Sequence, residues 1–252
     1  VLAFGLTLLP VIRKITLLSF WLLPISAICQ MTTSGIFAVS KIAISPVSAA
    51  LGGSQIATYA GDVNQLTVNP ALLDSSLHES VSLGYLNYLT DINQASVAYS
   101  RMIDSVGFVS GYLRYMDYGT FVETDEVGNE IGNFKSTDYE VGLSFTKAYS
   151  SHVSYGITLK QIYSGYFNYA GYGVALDFGG YYYSDNGLTL GATLDDLGAV
   201  LVDYNKEGTS VLPVSLNFAI AKKFEKAPLR LGLQYNQLNK WDLAANDIDE
   251  LS

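Results

Sequence analysis

The chain has 252 residues, of which 49% are hydrophobic and only 15% charged, and 14 Lys+Arg against 23 Asp+Glu leave a formal net charge of −9. This excludes a disordered chain, which needs low hydrophobicity and high charge, and argues against a nucleic-acid partner, which needs a cationic surface. A single Cys excludes a disulfide scaffold and a Cys-rich zinc site, while 23 Gly and 19 Tyr mark a chain that is apolar in an unusual way.

Residues 1–29 stand apart. Arg13 and Lys14 are their only charges and precede an apolar run from Ile15 to Ile25. Ser26-Ala27-Ile28-Cys29 follows, and a basic start, a short apolar core and a small-residue exit describe an export signal. Cleavage is expected after Cys29, which puts Gln30 first in the mature chain. A membrane anchor would need about 20 apolar residues. A lipid-modified Cys29 would want a small residue where Ile28 stands.

Residues 30–79 do not alternate. They carry Ser45-Pro46-Val47-Ser48-Ala49-Ala50-Leu51-Gly52-Gly53 and then Val68-Asn69-Pro70-Ala71-Leu72-Leu73. Such small residues suit a segment folded inside a lumen, and Asn69-Pro70 favours a turn.

From residue 80 onward no stretch approaches the length of a spanning helix, and the pattern has a period of two. Tyr139, Val141, Leu143 and Phe145 alternate with Glu140, Gly142, Ser144 and Thr146. The same holds for Val153–Lys160, Gly171–Phe178, Leu188–Leu194, Val214–Ala221 and Leu229–Asn236. Weaker strands are expected at Val81–Leu89, Ala95–Arg101 and Val106–Tyr115. Nine strands of this length could each cross a bilayer when tilted. One face is Leu, Val, Ile, Phe and Tyr. The other is Gly, Ser, Thr, Ala and Asn, with Arg114, Lys160, Asp177, Arg230 and Gln234 as candidate members of a polar lumen network. Glycine weakens a strand unless something approaches closely, and a plugged lumen would supply that reason. Tyr85, Tyr88, Tyr112, Tyr115, Tyr163, Tyr172, Tyr181, Tyr182, Tyr183 and Tyr235 lie near strand ends, as in the aromatic girdles of membrane barrels.

Connections alternate in length, except that the first, 90–94, is also short. Those at 102–105, 148–152, 184–187 and 224–228 are short, whereas 116–137, 163–170 and 195–213 are long. Outer-membrane barrels have short periplasmic turns and longer extracellular loops, which gives the orientation. Nine is an odd count where single-chain bacterial barrels have an even one. The reading therefore expects an incomplete barrel over 80–252, lacking a C-terminal part. The fold class is all-β: an antiparallel transmembrane barrel with an N-terminal hatch.

The run ending Leu51-Gly52-Gly53, the triplet Asn69-Pro70-Ala71 and the alternating strands together resemble the FadL-type outer-membrane barrels. Leu83–Asn93, Tyr112–Thr124 and Asn239-Lys240-Trp241-Asp242-Leu243 look like the branch that serves type IX protein secretion in Bacteroidetes. The resemblance runs from about Ile44 to Leu243. It implies that Leu51, Gly52, Gly53, Asn69, Pro70 and Ala71 belong to a hatch that plugs the barrel. It also implies a non-enzymatic anchor, without cofactor, in a cell-surface attachment complex. The partners would be outer-membrane lipid, a sortase-like protein and a lipopolysaccharide-binding protein. The alternative within the same fold is a transporter of hydrophobic compounds.

Other chemistry is weakly signalled. Ser76 and His78 could form a nucleophile and base only if they came within hydrogen-bond reach. The acidic stretch from Glu123 to Glu130 could attract calcium, but its spacing is not that of an EF-hand.

Overall fold

Successive side chains of a strand point to opposite faces, so a period-two sequence can satisfy two different surroundings at once. The computed structural model describes residues 36–88, 91–204 and 214–239. The proposed export signal, its cleavage site and Trp241 to Leu243 lie outside the described residues. Those described fall within one compact unit, residues 34–240.

All nine expected strands form, as a single antiparallel sheet in which each pairs with its sequence neighbours. They are β1 (Ser80–Asn87), β2 (Asn93–Ile103), β3 (Gly107–Thr124), β4 (Glu130–Ala148), β5 (Val153–Tyr166), β6 (Tyr169–Tyr183), β7 (Leu188–Val202), β8 (Ser215–Lys223) and β9 (Arg230–Tyr235). Among the described residues β1 and β9 are not paired with each other, so the sheet is open. The short turns are where the sequence places them. At Asn186-Gly187, Gly187 has φ +83° and a Cβ there would sit 2.6 Å from the Lys223 carbonyl oxygen, so only glycine makes the turn without strain.

All three long connections are corrected. Residues 116–137 are a loop only at the tip, because β3 and β4 run on as a hairpin as far as Thr124 and Glu130. A bulge between Asp117 and Thr120 shifts the register there and breaks the alternation on which the expectation rested. The connection 163–170 shrinks to Phe167 and Asn168. In 195–213, β7 continues to Val202 after an irregularity opposite Leu176 and Phe178, while residues 205–213 lie outside the described residues.

The segment before β1 covers one face of the sheet. It holds one short helix, α1 (Pro46–Ala50), capped by the Ser45 side chain, which accepts from the Val47 and Ser48 amides. Three single 3-10 turns follow at Val63–Thr67, Pro70–Leu72 and Ser75–Leu77. Each begins with an Asx side chain, Asp62, Asn69 or Asp74, accepting the amide two residues on. Ile44, Val63, Leu66, Leu73 and Leu77 of this segment pack on Ala98, Phe108 and Tyr112 of the sheet. Val39 packs on Met116, Ile162 and Ala175, while Ile56 and Ala57 pack on Ala219 and Ala221. At roughly 1.5–3 kcal/mol per large aliphatic side chain, this burial alone would hold the segment against the sheet.

Candidate functional site

The burial pattern divides the sheet into two chemically opposite faces. The covered face is small and polar: Ser100, Ser110, Ser144, Thr146, Thr158, Thr193 and Asn217 are all buried. The open face is large and apolar, with Leu83 78%, Leu143 63% and Leu233 78% exposed. A water-soluble sheet would be arranged the other way round.

Asn69-Pro70-Ala71 sits where β5 and β6 are thinnest. Gly156 and Gly179 face each other across these strands. A Cβ on Gly156 would lie 2.4 Å from the Pro70 carbonyl oxygen, and one on Gly179 would lie 2.1 Å from Asn69 Oδ1. The two glycines therefore form the seat of the triplet. Asn69 is fully buried, and its Nδ2 donates to the carbonyls of Ile56 (2.8 Å) and Gly180 (3.2 Å). Its Oδ1 accepts from the Ala71 amide at 2.9 Å. Thr146 donates to the Pro70 carbonyl and Ser154 to that of Ala71, so the triplet is tied to β4, β5 and β6. Asn69→Ala removes the bonds made by the Asn69 side chain without adding bulk and is expected to cost about 1–3 kcal/mol. The midpoint of urea unfolding should fall accordingly, and an unchanged midpoint would mean that Asn69 does not tie the segment to the wall.

Arg114, Lys160 and Asp177 also come together, in one buried row of charge that crosses β3 to β7. Lys160 Nζ lies 2.9 Å from Asp177 Oδ2 and 2.5 Å from Asp196 Oδ1. Lys41 of the N-terminal segment reaches the other oxygen of Asp196 at 2.6 Å. The Asp196 amide donates to Asp177 at 2.7 Å. Arg114 lies 3.9 Å from Glu140 and donates to the carbonyls of Val39 and Ile42. Glu140 in turn accepts from Tyr112 and from Ser40 (2.8 Å). Both halves of the network thus grip the segment around residues 39–42.

The other expected network members are elsewhere. Gln234 meets the segment at a different place, accepting from the Ile56 amide (3.3 Å) and donating to Ser54 (3.0 Å). Arg230 stays exposed on β9 and joins neither group. Gly52 and Gly53 do not press on the wall. They have φ +95° and +96°, meet no atom within 4 Å of an added Cβ and end α1, while Leu51 is 53% exposed. Leu51 and Gly52 instead border a cleft of about 680 Å³ beside β8 and β9. Glu140, Asp196 and Lys41 were not expected in the network. Glu140 shares the small-residue face of its own strand, which was the available signal.

Four tyrosines stand in register on the open face: Tyr115 opposite Tyr139, Tyr139 opposite Tyr163, and Tyr163 opposite Tyr172. The first two pairs of rings are 4.8 and 6.2 Å apart. Tyr155 and Tyr182 mark a second level nearer the short turns, with Ile157, Leu159, Leu143 and Phe178 between the levels and Gln161 among them. Tyr112 does not belong to either row, because its ring is buried on the covered face against Glu140. Beyond the first row the β3–β4 hairpin continues to a tip where Val127 is 87% and Ile131 61% exposed.

Ser76 and His78 are not brought together. Ser76 Oγ bonds Asp74 (2.6 Å) and the Tyr59 hydroxyl (2.6 Å), whereas His78 Nδ1 accepts from the Met102 amide at 3.2 Å. Burial raises the Tyr59 hydroxyl above its ordinary value. In the acidic hairpin tip, Asp125 is spent on the turn itself. It accepts from the Asn129 side chain and from the Asn129 and Val127 amides, and these bonds hold its carboxyl below the usual range. Among the described residues no group of His, Cys, Asp or Glu is placed to hold a metal ion, and no helix is long and apolar enough to cross a membrane. No protein-family model matches the chain, and no curated protein is detectably similar to it in sequence.

Proposed function

We propose that the chain forms the wall and plug of an outer-membrane β-barrel of FadL type and acts, without catalysis, as a membrane anchor for the surface-attachment complex of a type IX secretion system, as PorQ-like barrels do. The inverted sheet carries this reading: apolar side chains face outward and the polar ones are sealed beneath residues 36–79. The two tyrosine levels are eight residues apart on β5, about 27 Å of strand, which a tilt of about 40° brings close to the height of an outer-membrane apolar band. The residue 36–79 segment is then the hatch. The tyrosine row of Tyr115, Tyr139, Tyr163 and Tyr172 marks the outer interface, and the β3–β4 hairpin projects beyond it with apolar side chains bare. That hairpin suits docking to a sortase-like or lipopolysaccharide-binding partner.

The full-length protein is expected in the outer-membrane fraction, and its folded form should migrate faster than its boiled form in detergent gels. Recovery in the soluble periplasm would overturn the barrel reading. Removing residues 124–130 should leave that gel behaviour intact and abolish co-purification of surface partners; retention of the same partners would move the docking site elsewhere.

The alternative, a transporter of hydrophobic compounds, is favoured by one feature. The covered face of the long hairpins holds a cavity walled by Tyr118, Phe121, Tyr166 and Tyr169. Uptake of a labelled fatty acid by cells carrying the protein, lost on Tyr166→Ala, would select this reading.

A further inference from the structure

The same cavity has a chemical character that neither reading uses. Its volume is about 440 Å³, and five rings line it: Tyr118, Phe121, Tyr166, Tyr169 and Tyr204. At its floor lies Asp138, 4% exposed. Tyr118 donates to Asp138 Oδ2 at 2.7 Å, Ser164 donates to Oδ1, and Tyr204 donates to Ser164. Three hydroxyls on three different strands or their ends thus fix one carboxylate.

Among the described residues no Lys, Arg or His lies within ion-pair distance of Asp138. Arg114, on the neighbouring strand, is held by Glu140 and by the carbonyls of Val39 and Ile42. Lys41 and Lys160 are held by Asp177 and Asp196. A buried carboxylate without a counter-ion is costly, and a ring of aromatic faces attracts positive charge through the ring quadrupole. Both features ask for the same ligand.

We propose that this cavity binds an organic ammonium cation, with its alkyl groups against the tyrosine and phenylalanine faces and its charge over Asp138. A neutral sugar suits the site less well. A sugar could stack on the rings and donate to Asp138, but it would leave the carboxylate charge without a partner. An alkylated ammonium needs only the charge and the rings. The cavity lies on the side of the hairpin extensions, beyond the row of Arg114 and Glu140, and is therefore reached from the end opposite the short turns.

The test is calorimetric titration of the full-length protein in an uncharged polyoxyethylene detergent. Choline should bind saturably, and its uncharged carbon isostere, 3,3-dimethylbutan-1-ol, at least about tenfold more weakly. Asp138→Asn should weaken choline to the level of the isostere. Tyr166→Ala removes an exposed ring that makes none of the bonds to Asp138, so it preserves the floor and should still weaken choline severalfold. If Asp138→Asn does not fold, the isostere and Tyr166→Ala comparisons decide the matter. A short-chain phosphatidylcholine separates the two sources of such a cation. Tighter binding than choline identifies a lipid head group, and no gain identifies a free cation; both support an ammonium site. Equal binding of choline and the isostere would reduce the cavity to an apolar pocket. Binding of glucose in preference to choline, or no choline binding at all, would overturn the proposal.

Discussion

Lys160→Met should lower stability by about 3–5 kcal/mol, because it breaks a buried ion network by removing its central cation. The Lys160 ammonium is the shared counter-ion of Asp177 and Asp196, and all three are buried. Without it, two carboxylates face each other with only Lys41 in reach of one of them. The loss should appear as a lower temperature at which the fast-migrating folded form disappears from detergent gels. Asp177→Asn in the same chain removes the charge that Lys160→Met strands. The double variant should therefore recover a large part of the loss, since neighbours in one network are not additive. Simple addition of the two losses would show that Lys160 acts by packing and not by charge.

The second large effect is steric. Gly156→Ala places a methyl 2.4 Å from the Pro70 carbonyl oxygen and 2.5 Å from its carbon. Backbone cannot rotate away as a side-chain tip can, so residues 69–71 must lift from the wall. Overpacking of this kind costs about 1–3 kcal/mol. The readout is limited proteolysis, with cleavage within residues 36–79 becoming fast while the strands stay protected. Gly180→Ala is the matched control, because an added Cβ there meets nothing closer than the Ala192 carbonyl oxygen at 4.0 Å. Equal protease sensitivity of the two variants would mean that the seat formed by Gly156 and Gly179 does not hold the segment.

These two changes touch features that were unequally visible in the sequence. The strands could be read directly, because an alternation such as Tyr139 to Thr146 states both faces at once. Arg114, Lys160 and Asp177 stood out as isolated charges on a face otherwise made of small residues. Glu140 stands on that face too and is as readable as they are, yet only the structure connects it to Arg114, Tyr112 and Ser40. Asp196 was hidden for a different reason. Its φ is +62°, and the irregularity there puts two consecutive aspartates out of phase with the strand. Lys41 lies in a segment without periodicity, so its reach to Asp196 follows from tertiary packing alone. Asn69-Pro70-Ala71 could be found as a motif, but the reason for the glycines opposite it could not, since Gly156 and Gly179 are distant in sequence from the triplet. Tyr112 misled for the opposite reason: tyrosine serves equally as a belt residue and as a buried hydroxyl donor, and only its partner decides. The length of the β3–β4 hairpin was hidden by the bulge at Asp117, where the phase of the alternation changes.

The inverted sheet is the claim on which the functional reading stands. It is tested most directly by nitroxide labels on single introduced cysteines in β4 and β5, in the mature protein reconstituted into lipid bilayers. Labels at Leu143 and Leu159 should be relaxed strongly by membrane-dissolved oxygen and hardly at all by a water-soluble nickel complex. A label at Val127, on the hairpin tip, should show the reverse. Strong relaxation of the Leu143 and Leu159 labels by nickel would place the apolar face in water and contradict the barrel.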